Sequence, residues 1–200
     1  NLDLVWFGGL SGVQARLQRP NSIVIAQRDI DKEFKSVFIV NKKLNLTLTK
    51  ELSDLKSLRN HRFTFGSENS TSGRLMPEYF LNIAGVKTSE FKGKKPGFSG
   101  SHDATVALVN SGAFEAGALN KQIWGKNLKN NPKRTKNVDV FFVTPSYVDY
   151  HWLSQGDLDE KFYSGFTKKM KKAILNLNEN NPNQKIILEM FNAKKFIESD

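Results

Sequence analysis

Short apolar runs separated by turn-forming residues set the rhythm of this chain. Leu4–Phe7 (LVWF) is apolar and stops at Gly8-Gly9, which predicts a strand and a turn with close backbone approach. Ser11–Leu17 has the spacing of a short helix, broken by Pro20-Asn21. Ser22–Ala26 (SIVIA) and Ser36–Val40 (SVFIV) are rich in β-branched residues and read as buried strands. Thr49–Leu58 reads as a helix with a capping pattern at Thr49 and Ser53. Arg62–Gly66 (RFTFG) is a further strand, and a dense run of caps and turn-formers from Ser67 to Gly73 follows it. Met76, Phe80 and Ile83 then recur at helical spacing. Pro77 sits early in that helix, where proline is tolerated, and Gly85 is a natural C-cap.

Beyond this point the same alternation continues. Gly97–Gly100 reads as a loop, and Ser101-His102-Asp103 opens a helix whose Ala104, Ala107 and Leu108 share a face and which ends at Ser111-Gly112. Phe114–Leu119 and Val138–Val143 (VDVFFV) read as strands. Phe162, Phe166, Met170 and Ile174 mark an amphipathic helix that starts near Asp157 or Asp159 and runs to about Leu177, and a last helix is expected over Ile186–Ile197. Strands alternating with helices imply an α/β protein. Residues 1–38 and 143–200 are expected to build lobe one, and residues 41–138 lobe two. Ser36–Val40 and Val138–Val143 are the expected hinge crossings. The chain opens at Asn1-Leu2-Asp3 and runs straight into a strand, which reads as an internal start with a segment upstream and the first part of lobe one missing.

Composition narrows the function classes. The 200 residues include no cysteine, so disulfides and zinc-thiolate sites are excluded. No stretch approaches the ~18 continuous apolar residues of a membrane helix. The formal charge is +10. It could mark a nucleic-acid surface, but the lysines at Lys42-Lys43, Lys92–Lys95, Lys133–Lys136 and Lys168–Lys172 are scattered and do not interleave with exposed-looking aromatics. A solvated lysine-rich surface accounts for them better.

The chemistry concentrates at helix starts. Helix N-termini carry unpaired N–H groups and a partial positive charge, which suit an oxyanion. Ser70, Thr71 and Ser72 add three hydroxyls to one such start, and Gly73 lets the backbone come close. One residue suffices for an N-cap, so capping and anion binding both remain open readings of this run. His102 stands at a second donor-rich start in the same lobe, although by itself it reads as an ordinary surface histidine. Gly8-Gly9-Leu10-Ser11 is a third start. Asp149 lies among Tyr147, Tyr150, His151 and Trp152. By itself this segment reads as an aromatic core cluster with a turn-forming Asp; beside a ligand, the carboxylate would favour an anion that still carries a proton.

The segments FTFGSENSTSGRLMPEYFLNIAG, GSHDATVALVNSGAFEAGALN and TPSYVDYHW, in that order, resemble the phosphate/phosphite/phosphonate-binding protein family of ABC transporters (PhnD-like). The similarity covers roughly residues 3–177, and DLVWFGGLSGVQA fits the family's helix start in lobe one. The resemblance implies a periplasmic binding protein of type II-like fold, with two α/β lobes closing on ligand about hinge strands. It implies that Ser70, Thr71, Ser72 and His102 hydrogen-bond the phosphonate oxygens, with Tyr147 and Asp149 contributing from the other lobe. Where the family often has a tyrosine, this chain has Gly8-Gly9 and Gly12, and the backbone amide of Gly9 would replace the phenol contact. The expected ligand is phosphite or methylphosphonate, with Trp6, Tyr147 or Trp152 facing the apolar substituent. A 2-aminoethylphosphonate ligand would instead use Glu68, Glu115 or Asp149 at its amine, and phosphate is a further alternative. The expected partner is a membrane permease, and the protein is expected to be a periplasmic monomer with no cofactor, no metal and no nucleic acid. A Ser/His hydrolase is the competing class, but no G-x-S-x-G pattern surrounds either serine.

Overall fold

The computed structural model describes residues 2–199 and is of mixed α/β class, as the alternation predicts. The chain divides into two compact units. The first takes the chain up to Phe34 and again from Ser146, and the second takes Lys35–Pro145.

In the first unit, β1 (Leu4–Phe7) runs into α1 (Gly9–Gln18), and β2 (Ile23–Arg28) follows. The chain then enters the second unit through β3 (Ser36–Asn41), which is buried at every position. After it come β4 (Phe63–Phe65), α2 (Met76–Ile83), β5 (Gly97–Phe98), α3 (His102–Ser111) and β6 (Ala116–Asn120). Helices α4 (Lys121–Asn130) and α5 (Pro132–Thr135) lead to β7 (Val138–Val143). Back in the first unit are β8 (His151–Ser154), α6 (Leu158–Lys161), α7 (Phe166–Leu175), α8 (Pro182–Met190) and β9 (Phe196–Ile197).

The second unit's sheet has the order β5-β4-β6-β3-β7. β4 is parallel to β5 and β6, whereas β3 is antiparallel to β6 and β7. The β-branched run of β3 thus occupies an interior position, paired along both edges, which is where such residues fit best. On one face Val37, Ile39 and Leu119 pack with Val106, Val109 and Trp124. On the other, Phe38, Phe63, Phe65, Phe91 and Phe142 form a ring cluster, with Phe63 and Phe91 stacked 4.6 Å apart. The first unit's sheet has the order β1-β8-β2-β9, with antiparallel pairs throughout. Its core gathers Ile25, Ala26, Leu188 and Phe196 beneath Trp6, Trp152, Met170 and Ile174.

Several expectations change. Ser36–Val40 and Val138–Val143, expected as the hinge crossings, lie within the second unit. They pair with each other inside one sheet, and the chain passes between units at Phe34/Lys35 and Pro145/Ser146. Thr49–Leu58 is not an α-helix. Only Leu52–Leu58 coils, as a 3₁₀-helix, while the Thr49 hydroxyl accepts the Glu51 amide outside it. Gly97–Gly100 contains the short strand β5. The buried face of α3 is Thr105, Val106 and Val109, not the alanine face, and Ile83 on α2 is exposed while Leu81 is buried. The expected long helix after Asp157 is two helices. The Asp159 carboxylate accepts the Gly165 and Thr167 amides at 2.8 and 2.7 Å, and Gly165 at φ +84° starts α7 afresh. The last helix ends at Met190, and Phe196–Ile197 returns as β9 against β2. Helices α4 and α5 and strand β8 went unforeseen.

A buried ion pair anchors the first unit. Arg28 reaches Asp31 by Nε at 2.7 Å and by a terminal nitrogen at 2.6 Å, and its other terminal nitrogen donates to the Phe191 carbonyl at 2.9 Å. The guanidinium lies 5.1–5.9 Å from the ring centres of Tyr150, Trp6 and Phe34. Arg28 is 8% exposed and Asp31 is fully buried, so neither charge can fall back on water. Asp31→Ala strands a buried cation and is expected to lower stability by about 3–5 kcal/mol, read by urea denaturation.

Candidate functional site

Three parallel strands of the second unit each feed a helical segment at the same, carboxyl edge of the sheet. β4 leads through Gly66 to the turn at Ser70, β5 leads to α3, and β6 leads directly to α4. Each start has a side-chain cap. The Ser70 hydroxyl accepts the Gly73 amide at 2.9 Å, and the Ser101 hydroxyl accepts the Ala104 amide at 3.2 Å. The Asn120 side chain accepts the Gln122 and Ile123 amides at 2.7 and 3.2 Å. This edge is where α/β sheets collect ligand-binding groups. The third start escaped the sequence reading, although an Asn before an amphipathic run was a usable signal.

The Ser70–Gly73 run and His102 come together. The backbone closes around Gly66, whose amide donates to the Gly73 carbonyl at 2.9 Å and whose carbonyl accepts the Gly100 amide at 3.2 Å. A Cβ on Gly73 would sit 2.9 Å from the Ser70 hydroxyl and 3.0 Å from the His102 ring carbon Cε1. Glycine is therefore required there by close approach and not by backbone angle. His102 Nδ1 accepts the Asn120 amide at 3.4 Å, which leaves the ring proton on Nε2 as the donor. Burial pushes the His102 pKa down from its ordinary value, partly opposed by the neighbouring Asp103 charge. The ring is thus kept neutral near pH 7.

The hydroxyl run has divided roles. Thr71–Leu75 is one turn of π-helix, capped by Ser70. Thr71 and Ser72 are buried. Among the described residues, the buried Ser72 hydroxyl has no hydrogen-bond partner. A buried hydroxyl in that state has a donor to offer to water or to a ligand.

In the first unit the aromatic segment is arranged differently from the expectation. The buried Asp149 carboxylate accepts the Gly9 amide at 2.9 Å at the start of α1, and its own amide donates to the Asp31 carbonyl. The Gly9 amide, expected as a ligand donor, is thus given to a carboxylate of the same unit. Gly12 has its own reason. The His151 ring fills the space a Cβ would need, and burial lowers the His151 pKa. Tyr147 is half-buried, bridged to Phe34 with ring centres 6.1 Å apart. Trp6 and Trp152, expected to face a ligand substituent, pack into the first unit's core, with Trp6 stacked on Tyr150 at 5.7 Å. Glu115 accepts the Arg62 amide and pairs with His61 and Arg62, and Glu68 is exposed. Among the described residues no cluster of His, Cys, Asp or Glu is arranged to hold a metal, and no helix is long and apolar enough to cross a membrane.

The sequence matches, over residues 1–200, the family described as ABC transporter, phosphonate, periplasmic substrate-binding protein. The chain belongs to this family. Among its relatives, the probable ABC transporter phosphite binding protein PhnD1 of Prochlorococcus marinus (strain MIT 9301) is 71% identical over 200 residues, which span all of this chain and 67% of the relative. The phosphonates-binding periplasmic protein of Escherichia coli (strain K12) is 29% identical over 149 residues, or 72% of this chain and 42% of that protein. The crystal structure of the Prochlorococcus PhnD1 in complex with methylphosphonate superposes with a TM-score of 0.95, covering all of this chain and 73% of that one. A binding-protein component of a Pseudomonas aeruginosa ABC phosphonate transporter, 21% identical, has a TM-score of 0.77 over 64% of its length and bears on the fold alone. The resemblance seen in the Ser-Thr-Ser run and the histidine helix start is thus membership, and within this family the sheet edge is the substrate-binding candidate.

Both His102 and His151 have pKa values lowered by burial from the ordinary 6.5. Below that pH the unfolded chain binds protons that the folded chain refuses, so stability falls as pH drops from about 6.5 through the folded pKa values. A series of melting temperatures over this window should show that decline in the ligand-free protein, and His102→Gln should make it shallower.

Proposed function

We propose that this chain is the solute-binding component of an ABC importer and captures a small phosphonate or phosphite anion, with phosphite or methylphosphonate preferred. The Ser72 hydroxyl carries the reading. It is buried, has no hydrogen-bond partner among the described residues, and belongs to a capped turn packed against a neutral histidine at the carboxyl edge of three parallel strands. Such a site offers neutral donors and helix-end amides, which hold a tetrahedral oxyanion without metal, nucleophile or cofactor. Ser70, Thr71, Ser72 and the Nε2–H of His102 are the proposed contacts to the oxygens, with Tyr147 and Asp149 as proposed contributors from the first unit. The relatives support the choice of ligand. The 71% identical PhnD1 is named a phosphite-binding protein, and its crystal structure holds methylphosphonate.

Binding without turnover, a membrane permease as partner, a monomeric state and a periplasmic location complete the proposal. The family's description as periplasmic substrate-binding supports the location. The two units are proposed to correspond to the two lobes of such a protein.

Calorimetric titration with phosphite, methylphosphonate, 2-aminoethylphosphonate, phosphate and sulfate tests the reading. Phosphite or methylphosphonate is expected to bind most tightly, and a clear preference for phosphate or sulfate would overturn that choice. Ser72→Ala should lose about 1–3 kcal/mol of binding, since a charged acceptor loses a donor. The same variant should melt no lower than the parent in the absence of ligand, because among the described residues the hydroxyl has no hydrogen bond to lose. A matched fall in both quantities would make Ser72 a structural residue.

A further inference from the structure

The turn that starts at Ser70 is wound on bonds five residues apart. The Leu75 amide donates to the Ser70 carbonyl at 3.0 Å, and the Met76 amide donates to the Thr71 carbonyl. The next bond in that register would join the Ser72 carbonyl to the amide of residue 77. Residue 77 is proline and has no N–H to give. A buried carbonyl without a donor is costly, and here it would lie inside the proposed anion turn.

The donor comes from another element. The Ser36 hydroxyl, at the start of β3, donates to the Ser72 carbonyl at 2.7 Å. Ser36 is fully buried and its backbone is fixed twice, by its amide to the Thr144 hydroxyl at 2.9 Å and by its carbonyl to the Thr144 amide at 3.0 Å. It also lies opposite Asn120 in the β3–β6 ladder, at the sheet edge from which the helices start. A short side chain on a strand held this firmly is a rigid donor.

We propose that Ser36 is a positioning residue for ligand capture, supplying through its hydroxyl the hydrogen bond that Pro77 denies the Ser72 carbonyl and so fixing the Ser72–Gly73 peptide plane. That plane carries two consequences. It aims the Gly73 amide at the Ser70 hydroxyl, and it directs the buried Ser72 side chain. Without Ser36 the Ser72 carbonyl turns in search of another donor, and a turned carbonyl presents its negative end where an anion must sit. The inference rests on the anion reading of this turn.

Calorimetry with methylphosphonate and with phosphite, on the intact protein at a temperature where every variant is folded, tests it. Ser36→Ala is expected to weaken binding at least tenfold. Pro77→Ala in the Ser36→Ala background restores an N–H at residue 77 and is expected to recover most of the affinity, as is Ser36→Thr, which keeps a hydroxyl. A residue that only supports the fold would lower the melting temperature and leave the affinity of the folded protein unchanged, and that result overturns the inference. So does failure of Pro77→Ala to recover binding. If Ser36→Ala does not fold, the double variant decides: recovery of a folded, binding protein supports the inference, and continued misfolding sinks it. A parent protein that binds neither probe removes the anion reading itself, and with it the inference. A parent that binds beside an unchanged Ser36→Ala removes only the role of Ser36.

Discussion

A parallel strand ends with its carboxyl edge facing the start of whatever helix follows, and in this protein three adjacent strands do so side by side. That arrangement is the constraint on which the site depends. Each helix start brings amides that no helical carbonyl can satisfy, and each needs a cap. Ser70, Ser101 and Asn120 supply the caps, and the Ser72 hydroxyl and the His102 imidazole beside them are among the groups proposed for the ligand. Of the serine-threonine-serine run, which the sequence left open between capping and anion binding, Ser70 is the cap, and Ser72 keeps a hydroxyl without a hydrogen-bond partner among the described residues.

The first unit handles charge in the opposite way. Its buried cation is paired with a buried carboxylate, and a second carboxylate is turned onto a helix start. Arg28 is spent on Asp31, the Phe191 carbonyl and three aromatic faces, and Asp149 accepts the amide at the start of α1. A polar network of this kind fixes a unique packing, because any slippage leaves a charge unpaired in a low-dielectric interior. The second unit differs in gathering three capped helix starts at one sheet edge, beside the buried Ser72 hydroxyl.

The chain belongs to the phosphonate-binding family and shares its fold with the methylphosphonate-bound PhnD1. The irregular element is small. One π-turn, followed by a proline two residues after its end, is bonded by a serine from a strand far away in sequence. Irregular turns of this kind recur at functional sites because they re-aim a few groups while the surrounding sheet stays regular.

How much of this was legible beforehand follows from the range of each interaction. The strands announced themselves through β-branched and aromatic runs, and Ser101–Gly112 was readable as a helix because its cap and its left-handed glycine are local. The hydroxyl run and His102 were visible as candidates for the same local reason. What the sequence could not show was which hydroxyl is a cap and which is spare, since that depends on how the turn winds. Nor could it show that the Gly9 amide is taken by Asp149, 140 residues away, or that Trp6 and Trp152 are core. Ser36 looked like the edge of a buried strand. Its second role exists only because folding brings it within 2.7 Å of a carbonyl 36 residues away that a proline has left without a donor. Local chemistry fixed the elements and their candidate groups; long-range hydrogen bonding, which no spacing rule encodes, decided which groups remain available to a ligand.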